Sequence, residues 1–593
     1  GAKLNERPPD SRKIWTVSPW VTMAMNNFVA SDSSQLMWAL YEGAGFYPEE
    51  SEVKKLIRFV RGIDAYDENK DLNTADEREW KLGDIYHSEI AVVGPPKMPS
   101  EEKIADTNTE AYFKEQNGYQ AFVNANALRK RVVFAGANDG MLHAFDDESG
   151  EELWAFIPPN LLRRIREMTA PIAHLTKPIF GVDGTPVVRD VYLKGKWQTI
   201  LIAGLGRGGP GYFALDVTNP SAPKFIFAFL NDTNEKAVHY WDESGRESKH
   251  YYSSVSADMD YSMIGEARST PTIVSTPSGV GRKWLAVVGG GYNASATPGY
   301  GSSVYLLDLG QGGKVARAIQ MIDNPGGFVN SVPAPPTAVT ADGTKIATYK
   351  GALGYVADRE SKLYKIDASD GGLRYQYTEL FDGNGNEVNQ RAAECAITAS
   401  TDSNDKLWVY FGTGNKEKVQ LSLSTIQNRI FGIKDEHFPL FQSVSKTTAN
   451  DLKDVTAKGL ACPESEDAGW YLNLGRDEKV VGKLALDQQV LYGPVYKPDT
   501  EQVCFPGTST LYQMGYACGN VLRKTQLGAG YITGVRVHKD NVYLGISGTP
   551  GSQTEVSLGD GFTKKGNIAY GAPPDEANPV GGRLKVESWR EKF

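Results

Sequence analysis

From about residue 131 onward one unit recurs along the chain, and internal repetition narrows the possible folds more than any single motif does. The unit is a β-rich run, a Gly-containing turn, a second short run ending in an apolar residue and Asp, then a further turn. Copies read VVFAGANDGMLHAFDDESGEELWAF at 132–156, ILIAGLGRGGPGYFALDVTNPSAPKFIFAF at 200–229, LAVVGGGYN with SSVYLLDLGQGGKVARAI at 285–319, GYVADRESKLYKIDASDGGLRYQY at 354–377 and VYFGTGNK with QNRIFGIKDE at 409–436. Weaker copies follow at 490–522 and 534–547. The anchors Asp146, Asp216, Asp308, Asp367 and Asp435 lie 70, 92, 59 and 68 residues apart. A four-stranded blade takes roughly 40 to 50 residues, so each interval holds one blade plus an insertion. Such sheets bury their faces only against neighbours, which predicts an all-β chain: a modified seven-bladed β-propeller over 131–593 with decorated loops. The insertions at 230–270 and 436–470 are expected to project from the scaffold, as long propeller loops do.

Residues 1–130 read as a small helical and irregular extension packed on the propeller. SEVKKLIRFVRGID sets Val53, Leu56, Ile57 and Val60 at helical spacing, with Ser51 as the expected cap. Residues 99–117 are polar and read as surface.

Composition narrows the function. The 593 residues include 62 Gly and 62 aromatic residues (29 Tyr, 22 Phe, 11 Trp) but only 7 His, which favours turn-rich β structure and supplies few catalytic bases. Lys+Arg of 63 against Asp+Glu of 72 gives a net charge of -9, contrary to the basic stripe of a nucleic-acid binder. No apolar run approaches the ~20 residues of a membrane helix. Gly1–Pro9 lacks a signal-peptide core, so the expectation is a soluble chain whose export signal has been removed. Four cysteines, Cys395, Cys462, Cys504 and Cys518, permit three pairings and form no CxxC. Cys504 and Cys518 enclose CFPGTSTLYQMGYAC, which reads as a hairpin-sized disulfide loop, with two buried thiols as the alternative.

The sharpest local signal is DENKDLNTADE at 67–77. Oxygen-bearing side chains at Asp67, Asn69, Asp71 and Asn73, with Asp76 or Glu77 to complete the shell, suit calcium, which takes six to eight hard oxygens from a tightly curled segment. Seven acids and two bases between 64 and 79 repel one another without a cation. Leu72 stands where such loops usually carry Gly, and Arg78 where they carry Glu. A second stretch, Asp382 to Glu387, has the same spacing but is better read as an Asn-Gly turn. No GxSxG, HExxH or Walker loop is present, and the glycine runs at 204–209 and 289–291 read as blade turns because neither opens a helix.

Several segments together resemble the C-terminal domain of the PilC/PilY-type pilus tip adhesins. They are RFVRGID, WKLGDIYHS at 80–88, GANDGMLHAFD ending at Asp146, ELWAFIP at 152–158, VDGTP at 182–186, GYFALD at 211–216, GGGYN at 289–293 and YFGTGN at 410–415. The order is kept from roughly 55 to 545. The resemblance implies a non-enzymatic, quinoprotein-like propeller in a Gram-negative bacterium, exported to the periplasm and carried to the cell surface or pilus tip. It implies pilins or minor pilins and a host or abiotic surface as partners, support of pilus extension and attachment, and calcium as a regulator. Family members usually carry a preceding variable region. Many also hold calcium in a DxDxDGxxD loop, but the equivalent stretch 339–347 offers only Asp342 and includes Lys345, which points to the Asp67 loop instead. Arg61-Gly62-Ile63-Asp64 has one residue too many for an integrin-type RGD. Trp154 closing the first repeat resembles the tryptophan-docking signature of quinoproteins, chiefly as mortar between blades. The rival reading, a periplasmic pyrroloquinoline-quinone oxidoreductase, calls for adjacent cysteines that the sequence lacks.

Overall fold

A computed structural model describes residues 2–574 apart from 22–23, 171–174, 280, 295–298, 322–329, 371–374, 384–390, 423–424, 458–461, 501–504, 539–540 and 548–554. The chain divides into two compact units, 1–322 and 323–592. Among the described residues the first holds three large sheets and the second four, the number of blades that the repeat predicts.

In the first unit the strands Val132–Gly136, Leu142–Asp146 and Glu152–Ile157 form an antiparallel core. Ala91–Val93 is added on one edge and Ile14–Thr16, in parallel register with Ala155 to Ile157, on the other. The second sheet runs from Val187–Leu193 to Glu247–Tyr251 in six strands, and the third contains four, Thr272–Ser278 to Lys314–Gln320. In the second unit the sheets begin at Thr337, Thr398, Lys479 and Tyr531. Large apolar side chains, among them Phe134, Phe213, Val288, Phe431 and Leu544, fill the faces between strands at 0–1% exposure.

The repeated aspartate has a local cause. Each anchor ends or nearly ends the third strand of its blade, and its carboxylate accepts the backbone N–H two residues on. The donors are Glu148 to Asp146, Thr218 to Asp216, Gly310 to Asp308, Ser369 to Asp367 and His437 to Asp435, at 2.9–3.2 Å. This Asx turn starts the reversal into the outer strand, so the side chain is dictated by the turn.

Trp154 docks as expected: it is fully buried and its Nε1–H donates to Pro220 O of the next sheet at 2.8 Å. A second wedge was not legible. Trp470 donates to Tyr516 O at 3.1 Å and lies between Gly432 and Gly519, where an added Cβ would meet the indole at 2.5 Å.

Three expectations are corrected. The extension's main helix is Glu50–Arg61, capped by Glu49 without a side-chain bond, so Ser51 lies inside it; Gly62 at φ 116° ends it. Residues 99–117 are not all surface, because Glu110 and Lys114 are buried, with Glu110 paired to Arg189 at 2.9 Å. Cys518 bonds Cys462 and not Cys504, which lies outside the described residues, while Cys395 is a buried free thiol. The insertions are also stitched down. Residues 230–270 add Ala237–Trp241 and Glu247–Tyr251 to the second sheet. Residues 436–470 lend short parallel strands at Thr447–Thr448 and Lys453–Asp454 to two neighbouring sheets.

Candidate functional site

The Asp67 loop leaves the helix Glu50–Arg61 at Gly62 and returns through a short bridge of Ile63 to Glu77. Its base is pinned by Asp64 N to Asp76 O at 2.9 Å and Arg78 N to Gly62 O at 2.8 Å. Asp64, 2% exposed, turns both carboxylate oxygens inward to accept Glu68 N and Asn69 N at 2.8 and 3.2 Å. Asp67, Lys70 and Leu72 all adopt left-handed backbone, with φ 55°, 61° and 69°. Such conformations cost of order 1 kcal/mol or more apiece and persist only where surroundings enforce them. Leu72 thus takes the curl that glycine usually supplies in a calcium loop, with its side chain 90% exposed.

Three of the predicted ligands converge. The Asn69 amide nitrogen donates to Asp71 Oδ2 at 3.0 Å and Asp76 Oδ2 at 3.1 Å, and so stands between two carboxylates where a cation would otherwise sit. Asp76 Oδ1 is buried and has no hydrogen-bond partner among the described residues. Side-chain oxygens hold the curl throughout: Asp67 Oδ1 accepts Leu72 N at 3.0 Å, Asn69 Oδ1 accepts Asp71 N at 3.2 Å, Asp71 Oδ1 accepts Asn73 N at 2.8 Å and Asn73 Oδ1 accepts Ala75 N at 3.1 Å. Glu77 is held by Lys81, and Glu68 by Arg78 and Thr176, so neither joins the group. Carboxylate and amide oxygens in a curled loop, one of them orphaned, fit a hard cation such as calcium. The second stretch falls mostly outside the described residues, and its Asp382 is paired with Lys446 at 3.1 Å.

The loop runs directly into a strap that joins three separated motifs. Lys81, buried, donates to the carbonyls of Asn5 and Arg7. Gly83 N donates to Asp139 Oδ2 at 2.9 Å, and Asp84 accepts from both the backbone and the amide of Asn138. Ser88 Oγ accepts Gly136 N at 3.1 Å, and His87 binds Asp183 through both its backbone N–H and Nδ1, the latter at 2.6 Å. WKLGDIYHS, GANDGM and VDGTP are therefore one contact cluster. Its outer face leaves Trp80, Ile85, Tyr86 and Ile90 exposed, at 40–66%.

Sequence reasoning missed a charged group beneath this strap. Arg12 donates to both oxygens of Glu152 at 3.0 and 2.9 Å, and Glu152 also meets His143 Nδ1 at 2.8 Å, whose Nε2 faces Asp139 at 3.1 Å. Arg12, Glu152 and His143 are fully buried side chains. Burial alone would push the imidazole down, but Asp139 and Glu152 reverse this and hold His143 at about 9. No periodicity signals such a group, because its members lie on distant segments.

The sequence model of the PilY1 beta-propeller domain matches residues 82–461. The type IV pilus biogenesis factor PilY1 of Pseudomonas aeruginosa (strain UCBPP-PA14) is 29% identical over 371 residues, 62% of this chain and 27% of that protein. A type IV pilus biogenesis factor PilY1 homolog of Xylella fastidiosa is 27% identical over 534 residues, 83% of this chain and 33% of the relative. The chain thus spans about a quarter to a third of these relatives' lengths. The crystal structure of the Pseudomonas aeruginosa PilY1 C-terminal domain aligns with TM-score 0.54 and 20% identity, covering 77% of this chain and 98% of that one, which shows the shared fold. The chain belongs to the PilY1 β-propeller family.

Proposed function

We propose that this chain is the propeller part of a type IV pilus-associated protein, a tip adhesin and biogenesis factor that supports pilus extension and attachment by protein contacts and catalyses no reaction. Family membership over residues 82–461 carries this reading. On this reading the chain acts in the periplasm, at the cell surface and at the pilus tip, with pilins or minor pilins and a host or abiotic surface as partners. Among the described residues no helix is long and apolar enough to cross a membrane.

Calcium belongs to this proposal as the regulator. Asn69, Asp71 and Asp76 would hold the ion, with Asp67 and Asn73 setting the curl. The convergence of two carboxylates on Asn69 and the orphaned Asp76 Oδ1 support that assignment. When bound, calcium supplies neutralising charge and offsets the entropy of ordering a left-handed loop. Because Glu77 of the loop grips Lys81 of the strap, loop order shifts the population in which Trp80, Ile85, Tyr86 and Ile90 stand ready for a pilin. The test replaces the matching region of a piliated host's own factor with this chain, wild type or Asp71→Asn with Asp76→Asn. Surface pilin and attachment restored by the wild type support the pilus reading. Restoration that persists equally in chelator and in the double variant refutes the calcium role, and failure of a folded, exported wild type refutes the pilus role.

A further inference from the structure

We propose that the hairpin added to the second sheet carries a divalent transition-metal site, suited to zinc, built from His239 Nε2 and the carboxylates of Asp232 and Glu235. Asp232 ends the strand Lys224–Asp232, Glu235 lies in the turn, and His239 sits on Ala237–Trp241 facing back over both. One ligand atom from each lies within 4.8 Å of the other two. His239 Nε2 and Glu235 Oε2 are already 3.3 Å apart, close to the roughly 3.3 Å edge of a tetrahedron with 2.0–2.2 Å bonds.

The independent sign of a metal is what stands behind the histidine. His239 is 2% exposed, and its Nδ1 meets Glu247 Oε1 at 2.6 Å. Glu247 is itself clamped by Arg163 through both oxygens at 2.8 and 2.9 Å. In the tautomer whose Nδ1–H is donated to Glu247, Nε2 is the nitrogen left to ligate a cation held between Asp232 and Glu235. A carboxylate that fixes the tautomer and raises the basicity of the ligating nitrogen is the usual outer support of a metal-bound imidazole. One imidazole and two carboxylates favour zinc-like ions over calcium, which wants more oxygens. Three protein ligands leave a coordination position for water or a partner's side chain.

Lys249 is the resident cation, with Nζ 2.6 Å from Glu235 Oε2. The same Nζ lies 5.0 Å above the Tyr251 ring, a contact it can keep when a metal takes Glu235 from it. Removing it should therefore strengthen metal binding, whereas a purely structural ion-pair network gives no such gain.

The test titrates zinc into the chelator-stripped full chain by calorimetry, with cobalt as a coloured stand-in. We expect one saturable ion, binding at least tenfold weaker in His239→Ala and in the exposed-site variant Glu235→Gln, and severalfold tighter in Lys249→Met. The Asp71→Asn/Asp76→Asn variant should bind zinc normally, which separates this site from the calcium loop. Absent saturable binding by the wild type, equal binding in Glu235→Gln, or weaker binding in Lys249→Met would each overturn the proposal.

Discussion

Replacing Arg12 with Met should destabilise the first unit far more than a surface substitution does. The buried group beneath the strap contains two carboxylates, Asp139 and Glu152, and two cations, Arg12 and His143, so it is neutral as folded. Without Arg12 one negative charge remains in a group whose Glu152 and His143 side chains are fully buried. Glu152 loses two hydrogen bonds of 3.0 and 2.9 Å, and the Arg61 carbonyl loses its 3.0 Å partner. Removing one member of a buried ion pair costs about 3 to 5 kcal/mol, because the survivor keeps its desolvation penalty and loses its compensation. Glu152→Gln in the Arg12→Met background removes the stranded charge, so the double variant should lose less than the two singles added together, by about 0.5 to 3 kcal/mol. Denaturant titration read by tryptophan fluorescence suits this measurement, since Trp15 and Trp154 lie 6.1 Å apart in the adjoining core. An Arg12→Met protein within 1 kcal/mol of wild type, or strict additivity in the cycle, would refute the argument that the group acts as one neutral unit.

Further expectations concern other parts of the molecule. His143 is held at about 9 against an ordinary 6.5, so its contribution is complete below about pH 6.5 and is lost as pH rises through 9. The first unit should therefore weaken between pH 7 and 9, and His143→Gln should flatten that slope in pH-dependent unfolding. The disulfide spans 56 residues, a loop whose closure entropy is worth about 4 kcal/mol, so Cys462→Ser should lower the unfolding free energy of the second unit, measured by denaturant titration, by up to that amount. Trp470→Phe removes the bond to Tyr516 O and part of the packing against Gly432 and Gly519; a loss of about 1 to 3 kcal/mol is expected in the same assay.

The fold was legible where local chemistry repeats. An Asx turn needs its acid at one place in every blade, so Asp146, Asp216, Asp308, Asp367 and Asp435 mark the period directly. The loop of Asp67 was legible for a similar reason, since curling a short segment around oxygens imposes alternate spacing. Contacts made across long separations leave no such trace. Cys462 and Cys518 are brought together because the insertion is stitched along two sheet edges, whereas the short Cys504 to Cys518 interval suggested a hairpin. Arg12 and Glu110 look like ordinary surface charges in sequence, yet distant partners, Glu152 and Arg189, let them be buried.

Calorimetric titration of calcium into the metal-stripped chain, paired with thermal unfolding in calcium and in chelator, tests the calcium assignment most directly. One ion should bind the wild type, and calcium at a hundredfold its dissociation constant should stabilise the protein by about 2.7 kcal/mol. Both effects should vanish in Asp71→Asn with Asp76→Asn. Undiminished binding by that variant, or a wild type that neither binds the ion nor changes its unfolding, would contradict a calcium site between Asp67 and Asp76.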